Sequence, residues 1–180
     1  DSNSSKGIRK VYDESELYEA VYSAFTFSRS RKVVVEEFRK GKELSVDVVI
    51  QDFEPNILLI TKNIKIRQNE KNFTIAQSVY PGTNNDCVIK KLKTIAHKIA
   101  NAYNIKNGPL LIQLIDDGVE LSVVEFSSRI GGGSKHQLIK SITSFDILSY
   151  FLDLLSGIST SIELTKNYKF AIVNYIYASN

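Results

Sequence analysis

The chain has no methionine and a single cysteine, Cys87. One thiol excludes an internal disulfide and fits a reducing cytoplasm. It sits beside Asp86 at what reads as a helix start, as a structural residue or a catalytic thiol. Only two histidines, His97 and His136, accompany it, which argues against a zinc site. The same shortage leaves no Ser-His-Asp or Cys-His arrangement for nucleophilic catalysis. No apolar run approaches the roughly 20 residues that cross a membrane. The polar start, Asp1 to Lys10, does not resemble a signal peptide. Strong charge is missing too. The net charge is +3, and Lys and Arg are scattered among acidic residues, so no nucleic-acid stripe stands out. The missing initiator, and a start inside what reads as a functional loop, give the expectation of a fragment of a longer polypeptide. What is present suffices for a soluble globular core of one domain or two small lobes.

Period and punctuation predict alternating strands and helices. Ile8–Tyr12 reads as a short strand. Asp13 and Glu16 cap a helix through Leu17, Val21, Ala24 and Phe25 to about Ser28. Val33–Phe38 is a β-branched strand, followed by a polar turn at Arg39–Lys42. Over Glu43–Ile50, Leu44, Val46, Val48 and Ile50 share one face, and Glu43, Ser45 and Asp47 the other. Asn56–Ile66 and Phe73–Val79 read as strands around a charged turn at Asn69–Lys71. Pro81-Gly82 breaks the pattern. An amphipathic helix over Asp86–Tyr103 carries Val88, Leu92, Ile95, Ala96, Ile99 and Tyr103 on one stripe. Ser144 or Asp146 opens a later helix that stops at Gly157, and Tyr168–Tyr177 is a last strand. Hairpins with a few packed helices make the fold class α+β. There is no internal repeat and no low-complexity linker.

The most informative stretch is Gln113–Gly133, a hairpin that carries a carboxylate and an arginine into a glycine run. Asp117-Gly118 marks its turn. Gln113 and Glu125 are equidistant from Val119, so a hairpin centred there sets them opposite each other with Cβ atoms about 5 Å apart. Two oxygens so placed can share a hard cation, which for Mg²⁺ sits at about 2.1 Å from each. Arg129, just past the strand, is placed to meet an anion. An ordinary hairpin with a solvated Glu and Arg fits these residues equally well.

Other segments carry a functional and a plain reading side by side. Asp1–Gly7 is a small-residue loop whose free N–H groups and Lys6 suit phosphate oxygens, or a disordered terminus. Glu36 and Glu43 flank a strand-turn-strand segment where a base and a ribose can be read, or a solvated turn. Lys62 ends an apolar strand, to contact phosphate or to reach water. His136 follows the glycine run as a surface or catalytic residue.

In this order, the residues resemble the ATP-grasp superfamily, in its carboxylate–amine ligase and carbamoyl-phosphate-synthase-like branch. The resemblance covers nearly the whole chain and implies antiparallel sheets with a nucleotide between two lobes. Residues 1–37 would be the remainder of the small lobe and 38–180 the larger one. Ser4, Ser5, Lys6 and Gly7 are similar to a phosphate-covering loop. Glu36 and the Glu37–Phe38 backbone would read adenine, Glu43 the ribose, and Lys62 the phosphates. Gln113, Glu125 and Ser127 would hold Mg²⁺, or Mn²⁺ in its place, and Arg129 the transferred phosphoryl group. Family members usually carry an acid at the first metal position and Asn at the third, where this chain has Gln113 and Ser127.

The resemblance implies ATP-dependent activation of a small-molecule carboxylate for attack by an amine, in the cytoplasm, without nucleic acid or membrane. Gly131–His136 and Gln137 would line the acceptor pocket. Family members also have a Lys upstream of the serine loop and an N-terminal α/β domain. That domain would be a partner from the same polypeptide, and the segment alone is not expected to turn over. A homo-oligomer, a non-catalytic nucleotide-binding domain and a plain interaction domain stay open as alternatives.

Overall fold

Strand β1 (Lys42–Gln51) is buried along nearly its whole length. Its two faces therefore both need cover, and helices supply it. The computed structural model describes residues 7–66, 74–165 and 167–177. Six strands form one sheet in the order β5-β4-β1-β2-β3-β6, each antiparallel to its neighbours. The other strands are β2 (Glu54–Lys65), β3 (Ile75–Tyr80), β4 (Gly108–Asp116), β5 (Leu121–Ser127) and β6 (Ala171–Asn174). The helices are α1 (Glu14–Phe27), α2 (Asp86–Ala102), α3 (Lys135–Thr143) and α4 (Ile147–Leu155).

The first face packs on α2. Leu44, Val46, Val48 and Ile50 meet Leu92, Ala96, Ile99 and Ala100, with Leu110, Ile112 and Leu114 from β4. Each fully buried Leu or Val contributes about 1.5–3 kcal/mol of transfer free energy, so this layer anchors the sheet. Asn85 opens α2 by accepting from the Cys87 and Val88 N–H groups. The second face packs on α3 and α4, where Val49, Leu58 and Leu59 meet Leu138, Ile139, Ile142, Ile147 and Tyr150. Asp146 is the N-cap of α4 and accepts from Leu148 and Ser149.

Helix α1 starts at Asp13, which accepts from the Glu16 N–H, and it buries only Ala20. Ile8–Tyr12 and Val33–Phe38, expected as strands, are not strands. Among the described residues no strand pairs with either, and β-branched composition cannot replace the cross-strand hydrogen bonds that define a strand. Val34 and Val35 are 79% and 68% exposed. The last strand is shorter than expected, four residues long. Helix α3 was not expected, because it follows directly on the glycine run and Ser134 gives it no side-chain cap. The turn at Asn69–Lys71 lies outside the described residues.

Candidate functional site

The second face is divided. Its apolar half lies under α3 and α4, and the half toward Lys42 is polar. Thr61, Ser45, Gln113 and Glu125 form one cross-strand row over β2, β1, β4 and β5. Leu59, Asp47, Leu111 and Ser127 form the next row. Residues directly opposite in an antiparallel pair share a face, so Gln113, Glu125 and Ser127 project together. The hairpin reaches this register through a loop at Asp117–Glu120 and a bulge at Val124. Asp117 Oδ1 accepts from the Val119 and Glu120 N–H groups, and Gly118 has φ +93°. These hydrogen bonds to the charged form lower the Asp117 pKa.

Beside that row lies a hydrogen-bonded chain. Lys65 Nζ is 2.7 Å from Glu43 Oε2, Asn63 Nδ2 donates to Glu43 Oε1 at 3.0 Å, and Ser78 Oγ donates to Asn63 Oδ1 at 3.1 Å. Glu43 and Lys65 keep 15% and 32% of their side chains exposed, so solvent reaches the pair. Past β5 the chain turns sharply. The Arg129 N–H donates to Ser127 O at 2.9 Å, and Arg129 Nη1 donates to Ile130 O at 3.1 Å.

Under the glycine run sits a buried ion pair. Asp47 Oδ2 and Lys135 Nζ are 3.6 Å apart, with side chains 3% and 8% exposed. Lys135 Nζ also donates to Thr61 Oγ1. Burial pushes the Asp47 carboxyl up and the Lys135 ammonium down, each offset in part by the other's charge. A Cβ on Gly131 would lie 2.5 Å from Asp47 Oδ1 and 3.0 Å from Lys135 Cγ. Gly131 therefore has to be glycine for the turn to rest on this pair.

A family model for the ATP-grasp domain matches residues 1–137. The chain belongs to the ATP-grasp family. The carbamoyl phosphate synthase large chain of Clostridium acetobutylicum is 25% identical over 182 residues, covering 97% of this chain and 16% of that protein. An L-amino acid ligase from Bacillus licheniformis superposes with a TM-score of 0.68 at 23% identity, covering 80% of this chain and 35% of that one. The biotin carboxylase domain of Hydrogenobacter thermophilus 2-oxoglutarate carboxylase, solved with MgADP, ADP and bicarbonate, superposes with a TM-score of 0.76. It is 16% identical, over 95% of this chain and 38% of that one. The two structural likenesses carry the fold alone. This ATP-grasp domain spans well under half the length of each of these relatives.

The fold brings together most, but not all, of the residues picked out in the sequence. Gln113, Glu125, Ser127 and Glu43 share the second face. Lys62 does not join them. It is in register with Leu44, on the face that packs against α2. Lys65 is the lysine on the Glu43 side. It escaped the sequence reading because Ile57–Ile60 is continuously apolar and hides the parity of β2. Glu36, Glu37 and Phe38 lie outside any helix or strand and make no backbone–backbone hydrogen bond among the described residues. Glu37 pairs with Arg39 at 3.1 Å, and Lys10 Nζ lies 4.3 Å from the Phe38 ring centroid. Gly7 has φ +76° and rests on Phe27, while Ser4, Ser5 and Lys6 lie outside the described residues. His136 and Gln137 fall in the first turn of α3, and Tyr175 lies against Gly133. Among the described residues no helix is long and apolar enough to cross a membrane.

Proposed function

We propose that this domain binds ATP and Mg²⁺ on the polar half of the sheet, as part of an ATP-dependent carboxylate–amine ligase. The supporting observation is the row that sets Gln113 beside Glu125, with Arg129 at the end of the same hairpin. A carboxylate and an amide oxygen suit a hard cation. Among the described residues no three His, Cys, Asp or Glu side chains cluster as metal ligands. Glu125 is the acidic ligand in a set completed by Gln113 and Ser127, and Mn²⁺ satisfies the same oxygens. Bound there, the metal would neutralise phosphate charge.

The protein's own groups do the rest by placement. The backbone of Glu36–Phe38 offers N–H and C=O groups to the edge of adenine, and Glu43 offers its carboxylate to the ribose. Lys65 takes the phosphate-side role first expected of Lys62. In the reaction a carboxylate oxygen attacks the γ-phosphorus and ADP leaves, giving an acyl phosphate. An amine then attacks the carbonyl carbon, and inorganic phosphate leaves. Arg129 stabilises the charge on the transferring group. The described part of residues 1–37 covers the nucleotide as the small lobe over 38–180. The matched relatives are much longer than this domain, so acceptor binding and turnover belong to the whole polypeptide. A small-molecule amine and carboxylate are its substrates.

Calorimetric titration with ATP tests this reading. Saturable binding that requires Mg²⁺ is expected. No heat of binding with the metal present would contradict it.

A further inference from the structure

The Asp47–Lys135 pair has no place in the reading above, yet it touches the site from beneath. Lys135 opens α3, directly after the glycine run. Its ammonium reaches two strands at once, Asp47 on β1 and Thr61 on β2. Thr61 ends the cross-strand row that carries Gln113 and Glu125. Asp47 stands in the adjoining row, which ends at Ser127. Gly131 packs on the Asp47 carboxylate with no room for a side chain. Arg129 lies two residues before Gly131, close enough for its charge to act on Asp47.

Burying two charges is a poor way to gain stability. Desolvation consumes most of the Coulomb gain, and apolar replacements of such pairs are often neutral or stabilising. Asp47 Oδ2 also lacks a hydrogen-bond partner among the described residues. What the pair does supply is fixed geometry. A salt bridge and a hydroxyl hold the start of α3 at a set height over the two rows, and Gly131 is pressed between them.

We propose that Asp47 and Lys135 are positioning residues, a buried clamp that sets the glycine turn. The clamp thereby holds the Arg129 guanidinium in register with Gln113 and Glu125. Their effect on the nucleotide rests on the ATP reading given above, whereas their hold on the turn does not.

The test uses the paired variant Asp47→Leu/Lys135→Met, which removes both charges and leaves no unpaired buried ion. Trypsin cleavage after Arg129 reports the turn, and titrations with Mg-ATP and Mg-ADP report the site. The variant is expected to keep its unfolding midpoint and to be cut after Arg129 faster than wild type. It should bind Mg-ATP about tenfold more weakly, the worth of one charge-assisted hydrogen bond. Its affinity for Mg-ADP, which lacks the γ-phosphate, should not change. A stable variant with unchanged cleavage and an unchanged ATP-to-ADP affinity ratio would overturn the proposal. If the wild type bound neither nucleotide, the positioning role would fall with the ATP reading. Faster cleavage of the variant would even then uphold the hold on the turn, and unchanged cleavage would overturn that as well. If Lys135→Met alone unfolds the chain while the paired variant does not, the clamp is confirmed as an ion pair rather than a packing contact.

Discussion

Gln113 and Glu125 stand opposite each other in the β4–β5 ladder, and the bulge at Val124 is what brings them into line. Nearer the loop Leu114 pairs with Val123, and the extra residue shifts the pairing so that Glu125 meets Gln113. Bulges re-aim side chains in this way. The carboxylate is consequently delivered to the same face as Glu43 and Ser45.

The two neighbouring lysines of β2 should separate in function. Lys65→Met is expected to weaken Mg-ATP binding about tenfold, about 1.4 kcal/mol, because it removes the cation on the Glu43 side. Lys62→Met, on the α2 side, should leave binding within twofold of wild type. Parallel calorimetric titrations of the two variants decide between them. The reverse order would return the phosphate contact to Lys62.

Gly131 and Gly132 should differ in their tolerance of a methyl group. An added Cβ at 131 meets Asp47 Oδ1 at 2.5 Å, whereas at 132 the nearest atom is Arg129 Nη1 at 3.9 Å. Gly131→Ala is expected to lower stability by about 1–3 kcal/mol, as overpacking does. Gly132→Ala should stay within about 0.5 kcal/mol. Urea unfolding of both variants measures the difference, and equal stabilities would show that the turn does not bear on Asp47.

The cap of α4 predicts a pH dependence. Lys140 and the Ser149 and Leu148 N–H groups hold the Asp146 pKa below its ordinary 3.8. A lowered folded value means that the stabilisation is present above the unfolded pKa and is lost as pH falls through the folded one. Asp146→Ala should cost about 1 kcal/mol near neutral pH, as loss of an N-cap does. That difference should shrink in urea titrations carried out below about pH 4, with 3.8 as the unfolded reference. A constant difference across that range would assign the effect to packing instead of charge.

Local patterns were legible in the sequence. The α2 stripe and the Asp13 and Asp146 caps follow from residues near one another in the chain. The Gln113–Glu125 pairing was expected of a regular hairpin centred on Val119, whereas near the loop Leu114 pairs with Val123 and the bulge at Val124 restores it. Pairings between distant residues were not legible. Val33–Phe38 has strand composition, but a strand also needs a neighbour, and the described residues provide none. Lys62 was the expected phosphate lysine because a lysine ends an apolar run there, while the face it takes depends on the partner Leu44. Asp47 was placed on the polar face of β1, yet its buried pairing with Lys135 depends on how α3 lands. No spacing rule reports that contact. Helix α3 itself was hidden by the glycines before it, which read as loop.

The most direct measurement is thermal unfolding of wild type and Glu125→Gln, with and without Mg-ATP. Glu125 is exposed, so the substitution itself should change stability by less than about 0.5 kcal/mol. Ligand at about 100 times Kd should stabilise wild type by about 2.7 kcal/mol. The expected result is a Mg²⁺-dependent rise in Tm for wild type that Glu125→Gln loses. The same rise in both proteins, or in neither, would contradict a nucleotide and metal site on this hairpin.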